Sequence, residues 1–202
     1  MRVIGGSCRG RPLRAPAGTA TRPTGDRVRE AIFDVLGSLE PVEGRRVLDL
    51  FAGSGAMGIE ALSRGAVSAV FVDKAPSARA AVQSNLDALG LADRARVVRA
   101  EVLGWLATQA AEATQAAAGA EGAGAAGGFD LALCDPPYDF DQWATLLDQL
   151  PAPLAVLESS QPVELSPPWE VVRQKRYGGT LVTVVRRAGA GPTAQDDQKG
   201  SP

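Results

Sequence analysis

Residues 135–138 read Asp135-Pro136-Pro137-Tyr138 and follow directly on the apolar run Leu131-Ala132-Leu133-Cys134. Two consecutive prolines have no N–H donors and a fixed φ, so they predict a stiff, extended turn whose carbonyls can point into a crevice. A carboxylate and an aromatic ring are thereby held on either side of it. Taken alone, the stretch reads more readily as a structural Asp-Pro turn with Tyr138 packed as a lid. Its chemical meaning depends on what else the fold brings to the same edge.

A second candidate lies upstream, in "LDLFAGSGAMGIEAL", where Gly53, Gly55 and Gly58 have the G-x-G-x-x-G spacing at a strand-to-helix junction. Small residues there let a ligand approach the backbone, and the amides at a helix start can receive it. The spacing alone fits a tight turn in any α/β fold, or a dinucleotide site with a pyrophosphate on the helix start. Asp49 argues against the pyrophosphate, because a carboxylate four residues before Gly53 repels a phosphate but can receive a cation, such as the amino group of an amino-acid moiety. Asp73 ends the next strand, well placed to accept hydrogen bonds from ribose hydroxyls. Glu101 follows the third strand, near where an adenine can lie. Each acid singly is also explained as a helix cap or a solvated turn. Jointly they outline an elongated ligand with a ribose in its middle, and an oxidoreductase is the weakest enzymatic reading because it leaves residues 135–138 without a role.

The elements that must position these residues follow from periodicity. From Val47 onward, short apolar runs alternate with helix-like stretches. Strands are predicted at "RRVLDLF", "SAVFVD", "ARVVRA", "FDLALCD" and "LAVLES", and helices at "AMGIEALSRG", "PSARAAVQSNLDALG", from near Val102, and around "FDQWATLLDQL". A closing pair, "WEVVRQKRY" and "TLVTVVRR", turns through Gly178 and Gly179. This order implies an α/β fold, a mostly parallel Rossmann-like sheet of seven strands covered on both faces, with an antiparallel C-terminal edge. "DRVREAIFDVLGSL" reads as an amphipathic helix, and "RVIGGSCRGRPLRAP" as a small β-hairpin.

Composition bounds the rest. The chain has 202 residues, 45% of them apolar, and a net charge of -2, which fits one globular domain. No apolar run approaches the roughly 20 residues of a membrane span, and the N-terminus lacks the apolar core of a signal peptide, so a soluble, cytoplasmic protein is expected. There is no histidine, which removes imidazole as base, triad member or metal ligand. Cys8 and Cys134 lack clustered partners and are expected to be free thiols, with no metal site. Residues 1–29 hold seven arginines against Asp26 alone, a net +6, so a basic arm precedes an acidic body. Arginine suits phosphate and stacks on bases, which makes nucleic acid a candidate partner, although a merely solvated basic surface explains the charge equally well. We expect an arm over 1–21, a catalytic domain over 22–187 with an Ala/Gly-rich insertion at 110–128, and a disordered tail at 188–202.

The acids and glycines together resemble the S-adenosylmethionine site of class I methyltransferases, whose first motif, acid-x-F-x-G-x-G, is matched by Asp49, Phe51, Gly53, Ser54 and Gly55. The resemblance implies that these residues hold the methionine end of the cofactor, Asp73 the ribose and Glu101 the adenine edge; Glu101 stands where Asp is more usual. Residues 135–138 in turn resemble the D/N-P-P-Y/F motif of enzymes that methylate exocyclic amino groups of nucleobases. In that role the Asp135 carboxylate and Pro136 carbonyl accept the amine's N–H bonds, Pro137 stiffens the turn and Tyr138 stacks on the extruded base. "RPTGDRVREAIFDVL", the glycine stretch and "CDPPY" in this order resemble the RsmD family. That resemblance implies methylation of a guanine N2 in small-subunit (16S) ribosomal RNA, within an assembling subunit; a monomer is expected. It also places Arg22 and Thr24 near the cofactor and Arg9, Arg11, Arg14 and Arg27 against RNA, while salt-bridging to nearby acids is the plainer reading of Arg22 and Arg27. The alternatives are adenine-N6 methylation of DNA or RNA, and a non-catalytic RNA-binding assembly factor.

Overall fold

The computed structural model describes residues 1–17, 25–119 and 128–189, with side chains described outside 113–119. The chain runs α1 (Asp26–Leu39), β1 (Arg46–Leu50), α2 (Ala56–Ser63), β2 (Ser68–Asp73), α3 (Pro76–Leu89), a 3-10 turn (Ala92–Arg94), β3 (Ala95–Arg99), α4 (Val102–Gly119), β4 (Leu131–Cys134), α5 (Trp143–Gln149), β5 (Leu154–Ser159), β6 (Trp169–Tyr177) and β7 (Thr180–Arg187). The seven strands form one sheet in the order β3-β2-β1-β4-β5-β7-β6. Only β7 runs antiparallel to its neighbours, as the closing pair of the sequence implies.

Alternation along the strands explains the two cores. Val47 of β1, Phe71 of β2, Leu133 of β4 and Val156 of β5 face a layer that includes Ile32, Phe33 and Leu36 of α1, Ile59 and Leu62 of α2, and Val82 and Leu86 of α3. Leu48, Leu50, Val72, Ala132 and Cys134 face the opposite layer, with Val102, Trp105 and Leu106 of α4 and Leu146 and Leu147 of α5. Burial on both faces is why these strands read as nearly continuous apolar runs. The crossover at β1–β4 reverses the direction of winding, and in such sheets the crevice beyond the strands' carboxyl ends is where ligands bind.

Three expectations change in detail. The strand expected to run through Phe51 ends at Leu50, because Phe51 takes φ 59, a left-handed value uncommon for a residue with a Cβ. The helix expected from Phe140 begins at Trp143, because the Phe140 amide donates instead to the Pro137 carbonyl (2.9 Å). The N-terminal hairpin forms without regular strands: beside the one antiparallel bridge, Arg2 with Pro12, the Val3 amide donates to the Arg11 carbonyl (3.0 Å), Gly10 to Val3 (2.9 Å) and Leu13 to Met1 (3.1 Å), while the amides of Ile4, Gly5, Ser7 and Cys8 turn to α2. The Ala-rich part of residues 110–128 continues α4 to Gly119; residues 120–127, and the tail from 190, lie outside the described residues.

Docking of the arm is built from buried polar groups. Glu60 of α2 is fully buried and accepts from the Ile4 and Gly5 amides, both at 2.7 Å. Arg64 lies 2.8 Å from one oxygen of Glu60 and Arg29 of α1 lies 3.6 Å from the other. Arg29 also pairs with Asp26 (3.0 Å) and donates to the Arg2 carbonyl. Ser63 accepts from the Cys8 amide (2.9 Å) and donates to the Gly5 carbonyl (2.6 Å). Arg29 is therefore a buried, neutralised member of this cluster and does not belong to the exposed basic surface that the arginine count suggested.

Candidate active site

Each acid that the sequence singled out lies at a strand's carboxyl end, and the backbone explains why. Asp49 points to the α2 side of the sheet, like the alternate residue Val47, and there its Oδ2 accepts from the Gly58 amide at 2.8 Å. Gly58 is required at that contact, since a Cβ on it would sit 2.4 Å from Cε1 of Phe71 and 2.9 Å from Oδ2 of Asp49. Gly58→Ala is expected to cost about 1–3 kcal/mol of stability, as overpacking does, read as a lowered midpoint in chemical denaturation. An unchanged midpoint would mean that α2 can shift away from β2 freely.

The loop between β1 and α2 is pinned to the end of β2. The Gly53 amide donates to Asp73 Oδ2 (2.9 Å), and the Ala52 amide to the Val72 carbonyl (3.1 Å). Asp73 Oδ1 accepts from the Ala75 amide (2.8 Å), forming a local turn that opens α3. Gly55 caps α2 in the left-handed region, φ 75, with Val82 of α3 3.1 Å from where a Cβ would stand. On the far side Asn85 is buried; its side-chain amide donates to the carbonyls of Ser54 (3.0 Å) and Arg14 (2.9 Å), and its Oδ1 accepts from the Arg14 amide (2.8 Å). The Ser54 hydroxyl reaches the Met1 sulfur at 3.6 Å, so the arm borders the glycine loop.

The turn at residues 135–138 joins this loop laterally. Leu50 and Cys134 are paired in register, which brings Asp135 beside Phe51. A bend then closes from the Phe140 amide to the Pro137 carbonyl, and Tyr138 projects from it 69% exposed. Tyr138 is thus not packed as a lid. Phe140 turns back instead, edge-on to Phe51 at 5.3 Å and to Trp143 at 5.2 Å, and links the two candidate motifs through their aromatic rings.

Electrostatics unites the cluster. Burial, at 3% exposure, pushes the Asp49 carboxyl well above the ordinary carboxylate range; the Gly58 amide opposes the shift, and the negative charges of Asp135 and Asp73 add to it. Burial also pushes the Cys134 thiol up, with Asp49 and Asp135 adding, so Cys134 is no thiolate nucleophile. A buried carboxyl whose proton affinity is raised further by two neighbouring carboxylates suits a ligand carrying positive charge, which would relieve the repulsion. Glu101 stands apart from this group: it is exposed and its Oε2 accepts from the Gly104 amide (2.8 Å), capping α4.

The arginines divide. Arg11 donates to the Ala88 carbonyl at the end of α3 (2.8 Å), and Arg14 is held through its backbone by Asn85. Arg9 and Arg27 line a cavity of about 440 Å³ with Arg2, Asp26 and Glu30 between the arm and α1. Arg27 makes no salt bridge among the described residues, and Arg22 and Thr24 lie outside them. Sequence reasoning missed Glu60, Ser63, Asn85 and Phe140. A charged or amide side chain on a helix reads as solvated, and only the spacing of Phe140, two residues past Tyr138, hinted at its part.

Comparison with known proteins follows the same outline. The Bacillus subtilis protein YlbH is 54% identical over 99 residues, 49% of this chain and 53% of that one, so the chain spans about half the length of that relative in the match. Ribosomal RNA small subunit methyltransferase D of Haemophilus influenzae is 30% identical over 188 residues, 88% of this chain and 89% of that one. A Thermus thermophilus structure described as a hypothetical protein superposes with a TM-score of 0.73 at 34% identity, covering 92% of this chain and 99% of that one. The model of the family described as conserved hypothetical protein 95 matches residues 1–186, from the docked arm to the last strand, and the chain belongs to that family, the RsmD family its motifs resemble.

Proposed function

We propose that this chain methylates the exocyclic N2 amino group of a guanine in small-subunit ribosomal RNA, with S-adenosylmethionine as methyl donor. One observation carries the reading: Asp49, Asp73 and Asp135 meet at the carboxyl ends of β1, β2 and β4, around the glycine loop and beside the exposed ring of Tyr138. The Haemophilus relative's name supports ribosomal RNA as the substrate. Guanine N2 and the assembling subunit rest on the family resemblance alone.

The residues present fit this cofactor. The acid cluster favours a cation, and the loop from Phe51 to Gly55, bent through positive φ at Phe51, Gly53 and Gly55, leaves room for a ligand close to the backbone. Asp49 and the loop would hold the methionine end, Asp73 the ribose, and Glu101, whose carboxylate also caps α4, the adenine edge. Arg22 and Thr24 would border the same ligand. S-Adenosylmethionine, when bound, supplies a methyl group on a positively charged sulfur.

The chain's own contribution is to position and polarise. An aromatic amine is a poor nucleophile because its lone pair is delocalised into the ring. The Asp135 carboxylate and Pro136 carbonyl accept its N–H bonds, drawing density back to nitrogen and aiming the lone pair, and Pro137 keeps them rigid. Tyr138, already exposed, offers its face to a base that has left its helix. Proton release falls to Asp135 or to water, consistent with the absence of histidine. Holding the reacting atoms in line supplies much of the acceleration.

Tyr138→Ala is expected to lower kcat/KM on small-subunit particles about 10- to 100-fold, matching the roughly 1–3 kcal/mol of base stacking, while Tyr138→Phe stays within a few fold of wild type. Equal activity of the alanine variant would remove the stacking role. The functional reading itself is tested by nucleoside analysis of ribosomal RNA with and without this gene: loss of one N2-methylguanosine supports it, and loss of N6-methyladenosine or of nothing refutes it.

A further inference from the structure

Strand β6 carries Arg173, Lys175 and Arg176 within four residues, all of them exposed. None makes a salt bridge among the described residues, in a chain whose acids outnumber its bases, 23 to 21. β6 is also an edge of the sheet. Charges on an edge strand can serve merely to block pairing with other chains. That duty needs no particular level along the strand, whereas here the one acid, exposed Glu170, stands at the strand's start and the cations gather at its carboxyl end.

Register fixes the level. Cys134 of β4 is paired with Leu157, Leu157 with Thr183, and Thr183 with Gln174 of β6. β4 and β6 run in the same direction, so the next residues, Asp135 and Lys175, stand level with each other at the sheet's carboxyl end. Three strand spacings separate them, about 14 Å. Arg173 and Lys175 oppose Val184 and Val182, which belong to the layer packed by α1, and therefore stand on the face where α1 and the arm lie. The Glu40 carboxylate that follows α1 accepts from Arg186 at the sheet's opposite end (2.7 Å), so the first turn of α1, with Arg27, is directed toward the carboxyl end.

The hairpin tip has some preorganisation. Lys175 Nζ lies 5.2 Å from the ring centroid of Tyr177, and Arg176 donates to the Ser160 carbonyl (3.1 Å), which tethers the strand to the segment after β5. We propose that this basic edge binds the phosphates of the RNA strand flanking the target base, on the opposite side of Tyr138 from the glycine loop. The inference rests on the RNA methyltransferase reading above. An RNA backbone is the occupant because Arg173 and Lys175, two cations on one face with no carboxylate partner among the described residues, complement successive phosphates, while Arg176 on the other face tethers the strand.

The test measures binding without turnover. Wild type and an Arg173→Thr, Lys175→Thr double variant are titrated with naked small-subunit ribosomal RNA and with small-subunit particles across a range of KCl concentrations. Threonine preserves strand propensity at both exposed sites. The expected result is about tenfold weaker binding near ~0.1 M salt, and a slope of log K against log salt that falls by about 1.4, for two lost phosphate contacts to single-stranded RNA. An unchanged affinity and slope would overturn the proposal. So would a loss confined to particles with naked RNA bound normally, which would indicate a ribosomal protein as the partner. An Arg173→Lys, Lys175→Arg exchange keeps the charge and is expected to bind like wild type; binding as weak as the threonine pair's would also defeat it. RNA held through this edge without methyl transfer would sink the functional reading alone, whereas methyl transfer with an unaltered double-variant titration would sink the edge alone.

Discussion

Asp135→Ala is expected to slow methyl transfer by about 10²–10³-fold, the range found when one preorganised polar contact to a reacting group is removed. The argument is local. Asp135 follows the last residue of β4, in register beside the glycine loop, and on the proposed reading its carboxylate would be the charged acceptor for the target amine. Little else should suffer, because the side chain is exposed and its charge raises the proton affinity of buried Asp49. Removing that charge relieves a repulsion, so the denaturation midpoint is expected to hold or rise slightly. The same change removes a negative charge that favours a cationic ligand, so cofactor affinity should fall modestly. Asp135→Asn keeps an acceptor oxygen without the charge and should lie between alanine and wild type. Single-turnover rates together with cofactor titrations separate these effects. A rate within threefold of wild type for the alanine variant would mean that Asp135 does not hold the amine.

Glu60→Ala is expected to produce the largest loss of stability, about 3–5 kcal/mol, as when one partner of a buried ion pair is deleted. Glu60 is fully buried and accepts from two backbone amides and from Arg64, with Arg29 beside it. Its removal strands the Ile4 and Gly5 amides and leaves buried Arg29 with Asp26 and the Arg2 carbonyl as its remaining named partners. The arm should loosen before the sheet does, since most of its backbone anchors lead to α2. Trypsin would then cut after Arg9 and Arg14 under conditions where the rest of the chain resists. Because Met1 and Arg14 border the glycine loop, cofactor affinity should weaken too. Denaturation within 1 kcal/mol of wild type, about the size of an exposed pair, would show that the cluster is not a clamp.

Much of the site was legible because spacing encodes it. The strands at Ser68–Asp73 and Leu154–Ser159 have the bounds that their apolar runs suggest, and the acids at strand ends follow from those bounds. The glycine loop was legible for the same reason, since Gly53, Gly55 and Gly58 each answer a backbone demand: two adopt positive φ and the third lets α2 approach β2. The arm was less so. Its two short runs suggested a hairpin, and Val3, Gly10 and Leu13 do bond across one, yet the amides of Ile4, Gly5, Ser7 and Cys8 find acceptors on α2, and no periodicity announces that Glu60 and Ser63 are those acceptors. Arginine counting likewise treated Arg29 as exposed, whereas the fold buries it between two acids. Glu101 reads equally as ligand contact or helix cap in sequence, and its bond to the Gly104 amide makes the cap real without excluding the contact. The basic edge of β6 escaped notice because a charge run carries no mark of its level. Only register places it opposite Asp135.

The central claim is tested most directly by incubating the protein with methyl-labelled S-adenosylmethionine and small-subunit particles from cells lacking this gene, then digesting the RNA to nucleosides. The account predicts label in N2-methylguanosine, and almost none when Asp135→Ala replaces wild type. Cofactor binding without label in the RNA, or label in N6-methyladenosine, would contradict it.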